Sequence, residues 1–167
     1  IANTTTSNPY INLTTTTRYR AQVQSGVCPA VYSSQRIITI NPLSVGGAVT
    51  ANATECSGSN GATLTLAGNT GTIPNWQSST DGGATWSTIA NTTPTQTYTN
   101  LTTTTLYRAQ VKSGVCATVN STPATITIVP NSNGGTISSS MTVCNGANDD
   151  TLVLSGFVGS IMDWESS

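Results

Sequence analysis

Residues 12–28, NLTTTTRYRAQVQSGVC, return at 100–116 as NLTTTTLYRAQVKSGVC, with two differences and an offset of 88. The same offset relates Cys56 to Cys144, Gly68 to Gly156 and Trp76 to Trp164, with no insertion or deletion between them. A repeat this regular requires a fold with the same period. Eighty-eight residues are too many for a propeller blade of about 40–50 residues. They suit one β-sandwich domain, typically about 100 residues.

The joints NPLSVGG (41–47) and VPNSNGG (129–135) carry the residues that punctuate a chain. They divide the sequence into the C-terminal part of one unit (1–41), a complete unit (42–130) and the N-terminal part of the next (131–167). The front piece supplies early strands and the back piece late ones. Neither is expected to hold a core alone, since chains below about 40 residues usually need help. The expectation is a window on a longer array, in which a neighbouring copy completes each broken unit. Expressed alone, the chain is expected to keep 42–130 folded, with both ends open to protease.

Within the complete unit, short strand patterns alternate with turn residues. Thr63–Leu66 alternates and ends near Gly68. Ile73–Gln77, Trp86–Ile89, Tyr98–Leu101, Leu106–Lys112 and Thr125–Ile128 follow, and no segment has a helical period. The fold class is all-β: tandem immunoglobulin-like β-sandwich repeats of 88 residues. An immunoglobulin sandwich packs a Trp beside a disulfide and sets a Tyr two residues before the second cysteine. Leu64 or Leu66, Trp76 and Tyr107-x-Ala109 take those places here. The expected core is Leu64, Leu66, Trp76, Tyr107, Ala109 and Val111, with Arg108, Gln110 and Lys112 turned to solvent. Tyr19, Ala21 and Val23 are expected to mirror the inward set.

Ser79-x-Asp81-x-Gly83-x-Thr85-Trp86 resembles the Asp-box hairpin of sialidases, which raises glycosidase chemistry. Such chemistry needs two carboxyl groups roughly 5–9.5 Å apart. The acids are Glu55, Asp81, Asp149, Asp150, Asp163 and Glu165, and at the sister positions Asp149, Asp150 and Asp163 face Gly61, Ala62 and Asn75. A paired site that lapses between repeats is poor material for catalysis. With no histidine in the chain, a Ser-His-Asp triad is impossible. Asp81 before two glycines is instead the chemistry of a tight turn, so the hairpin is read as a structural clasp. CNGANDD (144–150) resembles a calcium loop, but its sister CSGSNGA has no acid, and a solvated turn is the default. No catalytic residue, metal or cofactor is assigned.

Charged residues make up 7% of the chain and the net charge is −1, so nucleic-acid binding is not expected. No apolar run approaches the roughly 18–20 residues of a membrane span. Thr, Ser, Asn and Gly dominate, and Thr suits exposed faces of β-sheets.

The conjunction of Cys56, Gly58, Leu64, Leu66, Gly68, Gly71, Trp76, Ser79, Asp81, Gly83, Trp86, Tyr98, Leu101, Tyr107-Arg108-Ala109, Gly114 and Cys116 resembles a Bacteroidota family of Ig-like repeats. Cys144, Gly146, Leu152, Leu154, Gly156, Gly159 and Trp164 extend the resemblance into the next unit. Such repeats build very large cell-surface and secreted proteins, gliding adhesins among them, exported by type IX secretion. The resemblance implies extracellular display and an adhesive or filament-building role. It implies neighbouring repeats of the same or an adjacent chain as partners, with surface glycans or other cells beyond them. It supplies no catalytic residue. The alternative function is a carbohydrate-binding accessory module of a secreted glycan-active enzyme, using Trp86 as platform. Asp150-Thr151-Leu152 fits the O-glycosylation motif of such bacteria, at Thr151.

Cys28, Cys56, Cys116 and Cys144 are expected to form disulfides in such a setting. Two pairings stay open. Cys56 and Cys116 can join within a unit, as the family is often assumed to do, if the loops fold back. Otherwise Cys56 reaches across the joint to the Cys116-equivalent of the next unit.

Overall fold

The computed structural model describes residues 4–50, 52–138, 140–146 and 148–167. Its regular structure is entirely β, and among the described residues no helix is long and apolar enough to cross a membrane. Ahead of the complete unit come β1 (Thr17–Tyr19), β2 (Gln22–Val23), β3 (Val31–Tyr32) and β4 (Arg36–Ile38). The unit itself begins with β5 (Ala48–Thr50), β6 (Ala53–Cys56), β7 (Gly61–Ala67), β8 (Thr72–Ser79) and β9 (Ser87–Ile89). It ends with β10 (Thr95–Thr99), β11 (Thr105–Lys112), β12 (Val119–Asn120) and β13 (Ala124–Val129). Beyond it lie β14 (Thr136–Ile137) and β15 (Leu154–Ser155).

One sheet runs β10-β7-β5 and the other β6-β13-β11-β8-β9, with β12 alongside β11. Among the strand pairs of the described residues, only β6 on β13 is parallel. The first strand is thus split, β5 serving one sheet and β6 the other, and the whole is an immunoglobulin-type sandwich. Its core takes Val49, Leu64, Leu66 and Tyr98 from the first sheet. Ile73, Trp76, Tyr107, Ala109, Val111, Ala124 and Ile126 come from the second. Side chains alternate along β11 as strand geometry requires. Tyr107, Ala109 and Val111 are buried, Arg108 and Gln110 half-buried and Lys112 exposed. Three strands, β5, β6 and β10, differ from the sequence reading. Neither β5 nor β6 has an apolar alternation of its own. The strand read at 98–101 lies at 95–99, because Asn100 turns left-handed at φ 53° and ends it.

The pairings also recur at the offset of 88. Thr17↔Ile38 repeats as Thr105↔Ile126, Gln22↔Tyr32 as Gln110↔Asn120, and Ala48↔Ala67 as Thr136↔Ser155. The strands on either side of the sandwich therefore pair as their sister strands do, but their side chains stay more exposed. Val23 is 58% exposed where Val111 is 0%, and Trp164 is 50% exposed where Trp76 is 0%. Tyr19, Ala21 and Val23 do not mirror the β11 core: Tyr19 is half-buried, Ala21 and Val23 exposed. Residues 4–41 contain no counterpart of the Leu64–Leu66 strand to cover them.

The sandwich has two poles. The joint 41–47, the β7–β8 turn and the β11–β12 loop lie at the proximal pole, where Val45 bridges Thr70 and the Ser113 amide donates to Ser44 Oγ at 2.9 Å. The β6–β7 turn, the β8–β9 hairpin, the β10–β11 loop and the end of β13 lie at the distal pole, where the Gly58 amide donates to Leu101 O and that of Ser57 to Val129 O. Cys28, Cys56, Cys116 and Cys144 are all free in this structure. Cys56 ends β6 opposite Val129 at the distal pole, whereas Cys116 lies in the β11–β12 loop at the proximal one. The eight residues of β11 hold them about 26 Å apart, and a disulfide spans at most about 7 Å between Cα atoms.

Candidate functional site

The β8–β9 hairpin is built by its own side chains. Asp81 accepts from Ser79 Oγ at 2.7 Å, from the Thr85 amide at 2.9 Å and from the Thr85 hydroxyl. Ser79 Oγ in turn accepts the Gly83 amide at 2.9 Å. Gly82 and Gly83 take the positive φ values, 72° and 94°, that let the turn close. The Trp86 indole N–H then donates to Gly83 O at 2.9 Å, laying the ring over the hairpin. Ser79, Asp81, Gly83, Thr85 and Trp86 thus form one clasp at the distal pole.

These bonds favour the ionised carboxylate of Asp81 and hold its pKa far below the usual carboxylate range, the Ser79 hydroxyl contributing most and the Thr85 groups next. The sign follows. A depressed folded pKa gives stability that is present above the unfolded carboxylate value of about 3.9 and is lost as pH falls through the folded pKa. In an NMR titration the Asp81 side-chain carbonyl is therefore expected to keep its ionised shift at about pH 3. Titration near the unfolded value would show that the clasp is not closed in solution.

Above the hairpin, the Arg108 guanidinium lies 3.8 Å from the centroid of the Trp86 ring, and its Nε donates to Gln77 Oε1 at 2.8 Å. Gln110 continues this polar ladder, accepting from Asn75 at 3.1 Å and donating to Asn120 at 3.2 Å. Arg20, the sister of Arg108, covers Tyr32 at 3.7 Å instead. Arginine on an aromatic face is a stabilising cation–π contact, and here it occupies the ring that a sugar platform would have to present.

The acids do not gather. Glu55 accepts from the Tyr98 hydroxyl at 3.3 Å, Asp81 is engaged in the clasp, and Asp149, Asp150, Asp163 and Glu165 are exposed on the C-terminal piece. Burial first, and the Glu55 charge second, push the Tyr98 hydroxyl above its ordinary pKa. Among the described residues no three His, Cys, Asp or Glu side chains come together as a metal site. Asp150 accepts from the amide of Thr151, which is exposed.

Sequence reasoning missed Asn60. Its Nδ2 donates to Cys56 O at 2.8 Å and Leu101 O at 2.7 Å, and its Oδ1 accepts the Leu101 amide at 2.9 Å. One side chain thereby ties the β6–β7 turn to the β10–β11 loop. Its sister Asn148 donates to Cys144 O at 3.0 Å. The available signal was the asparagine four residues after each of these two cysteines.

The chain matches a family described as Domain of unknown function (DUF8696) over residues 1–42 and 45–130. No curated protein matches it.

Proposed function

The chain belongs to this family of domains, and from that premise we propose that it is a stalk or adhesive array, immunoglobulin-type units set end to end in a long bacterial surface protein. The reading assigns it no catalysis. Its partners are neighbouring units and, at the cell boundary, surface glycans or other cells. One observation carries the reading: the unit is closed in its core and fastened at its joint. The buried apolar cluster lies wholly between Val49 and Ile126, so units can be added without enlarging any core. The incoming linker is meanwhile bound to the body it enters. Val45 bridges Thr70, and Ser44 accepts the Ser113 amide. A linker held in this way passes tension into the sandwich.

Chain length along a unit fixes the test. Residues 119–129 run from pole to pole, about 36 Å at roughly 3.3 Å per residue. Small-angle scattering from chains lengthened by one and two repeats is expected to show the maximum dimension growing by about 35–40 Å per repeat. Repeats that fold back on one another, adding little length, would defeat the stalk reading. The alternative is a carbohydrate-binding module centred on Trp86. Glycan-array binding that is abolished by Trp86→Ala with folding intact would transfer the assignment to it.

A further inference from the structure

We propose that each unit's two cysteines form disulfides across the joints, Cys56 with the Cys116-equivalent of the following unit and Cys116 with the Cys56-equivalent of the preceding one. The proposal rests on the end-to-end reading above and gives it covalent chemistry.

The proximal pole supplies one half of the geometry. Cys116 Sγ lies 3.3 Å from Pro42 O and 3.9 Å from Asn41 O. Its loop is seated there by the Ser113–Ser44 hydrogen bond and closed by the Cys116 amide on Ser113 O at 2.9 Å. The fit is close: a Cβ on Gly114 would fall 2.4 Å from Asn41 Cγ. The loop thiol therefore rests on the linker that arrives from the preceding unit.

The distal pole supplies the other half. Eighty-eight positions on from Asn41 and Pro42 stand Val129 and Pro130, where the chain leaves for the next unit. Val129 is the ladder partner of Cys56, and its carbonyl accepts the Ser57 amide at 3.0 Å. A following unit seated as this one is brings its loop thiol within about 4 Å of that same carbonyl, the spacing seen at Asn41. Both cysteines thus converge on one peptide group. Neighbouring strands are about 4.8 Å apart, and disulfides join Cα atoms about 4.4–6.8 Å apart.

Both environments recur. The Asn60 clamp on Cys56 O returns as Asn148 on Cys144 O, and the Cys116–Ser113 turn returns as Cys28–Ser25 at 3.0 Å. Cysteines related across a joint are separated by more sequence than any two of the four here, so all four are free. On oxidation each thiol loses its proton, and the pair passes two electrons to a disulfide oxidant, which leaves as two thiols.

A chain lengthened by one repeat, with residues 42–129 written twice in succession within the full sequence, holds one such pair in a single molecule. Cys28→Ser and Cys144→Ser remove the outer thiols. Cysteine-to-serine changes then leave two thiols in one of three arrangements: Cys56 of the first copy with Cys116 of the second, Cys116 of the first with Cys56 of the second, or Cys56 and Cys116 of one copy. Each protein is equilibrated in a glutathione redox buffer, and its free thiols are counted by maleimide mass tagging. The first arrangement is expected to take no tag until it is reduced with dithiothreitol, and the other two to take two tags. Closure within a single copy, or two tags on the first arrangement, overturns the proposal. Scattering from the reduced protein separates the two ideas. Stacked units with free thiols refute the bond alone, and units that do not stack refute the array reading with it.

Discussion

Replacing Trp76 with alanine is expected to take about 3–5 kcal/mol from the complete sandwich. The ring is fully buried in β8, between Ala109 on β11 and Ile89 on β9. The small Ala109 beside it leaves room for the indole, so truncation opens a cavity that neighbouring backbone cannot collapse to fill. The indole N–H also donates to Thr93 O at 2.9 Å, pinning the β9–β10 connection, which Asn91 organises by accepting the Thr93 amide. Removing the donor leaves that carbonyl without its partner. A domain of this size holds about 5–10 kcal/mol, so most of its stability goes. The urea midpoint should fall by about 2–4 M. Trp86→Ala is the comparison. It loses an outer-face ring, one hydrogen bond and the Arg108 contact, about 1–2 kcal/mol. Equal losses from the two variants would mean that the core is not centred on Trp76.

What could be read in the sequence was what is encoded locally. The Asp81 clasp was legible because all of its bonds fall within Ser79–Trp86. The alternation along β11 was legible because one face meets the core and the other does not. By contrast, β5 and β6 read AVT and ATEC and are strands because Ala67, Leu66 and Ile126–Val129 pair with them. That is tertiary context, which propensity does not contain. The Arg108–Trp86 stack and the reach of Asn60 to Leu101 join segments distant in sequence, and the asparagine four residues after the cysteine marks only the local half of that clamp. Burial of the end pieces failed for the same reason. Val23 copies Val111 in sequence and in pairing, but burial requires a facing sheet. The two cysteine pairings were equal on sequence, and the poles that separate Cys56 from Cys116 emerge from strand direction.

Gly71→Ala is expected to destabilise the sandwich by about 2–5 kcal/mol, combining backbone strain with overpacking. Gly71 sits in the β7–β8 turn at φ 124°, a conformation that L side chains rarely adopt. A Cβ there would also fall 2.6 Å from the carbonyl carbon and oxygen of Lys112 and 2.8 Å from the Ser113 amide nitrogen. All three are backbone atoms, so no rotamer change relieves the clash. The turn is already tied at this point, with Thr72 Oγ1 donating to Lys112 O at 3.1 Å. Relief therefore requires moving the β11–β12 loop, which carries Ser113 and Cys116 onto the incoming linker. Gly68→Ala in the same turn isolates the clash. Gly68 has φ 72° and nothing within 4 Å of its Cβ position, so it bears the backbone term alone, about 1–2 kcal/mol. Urea unfolding of the two variants should rank Gly71→Ala well below Gly68→Ala, and maleimide should label Cys116 faster in the former. Equal midpoints and equal labelling rates would show that the turn does not bear on the loop as the structure has it.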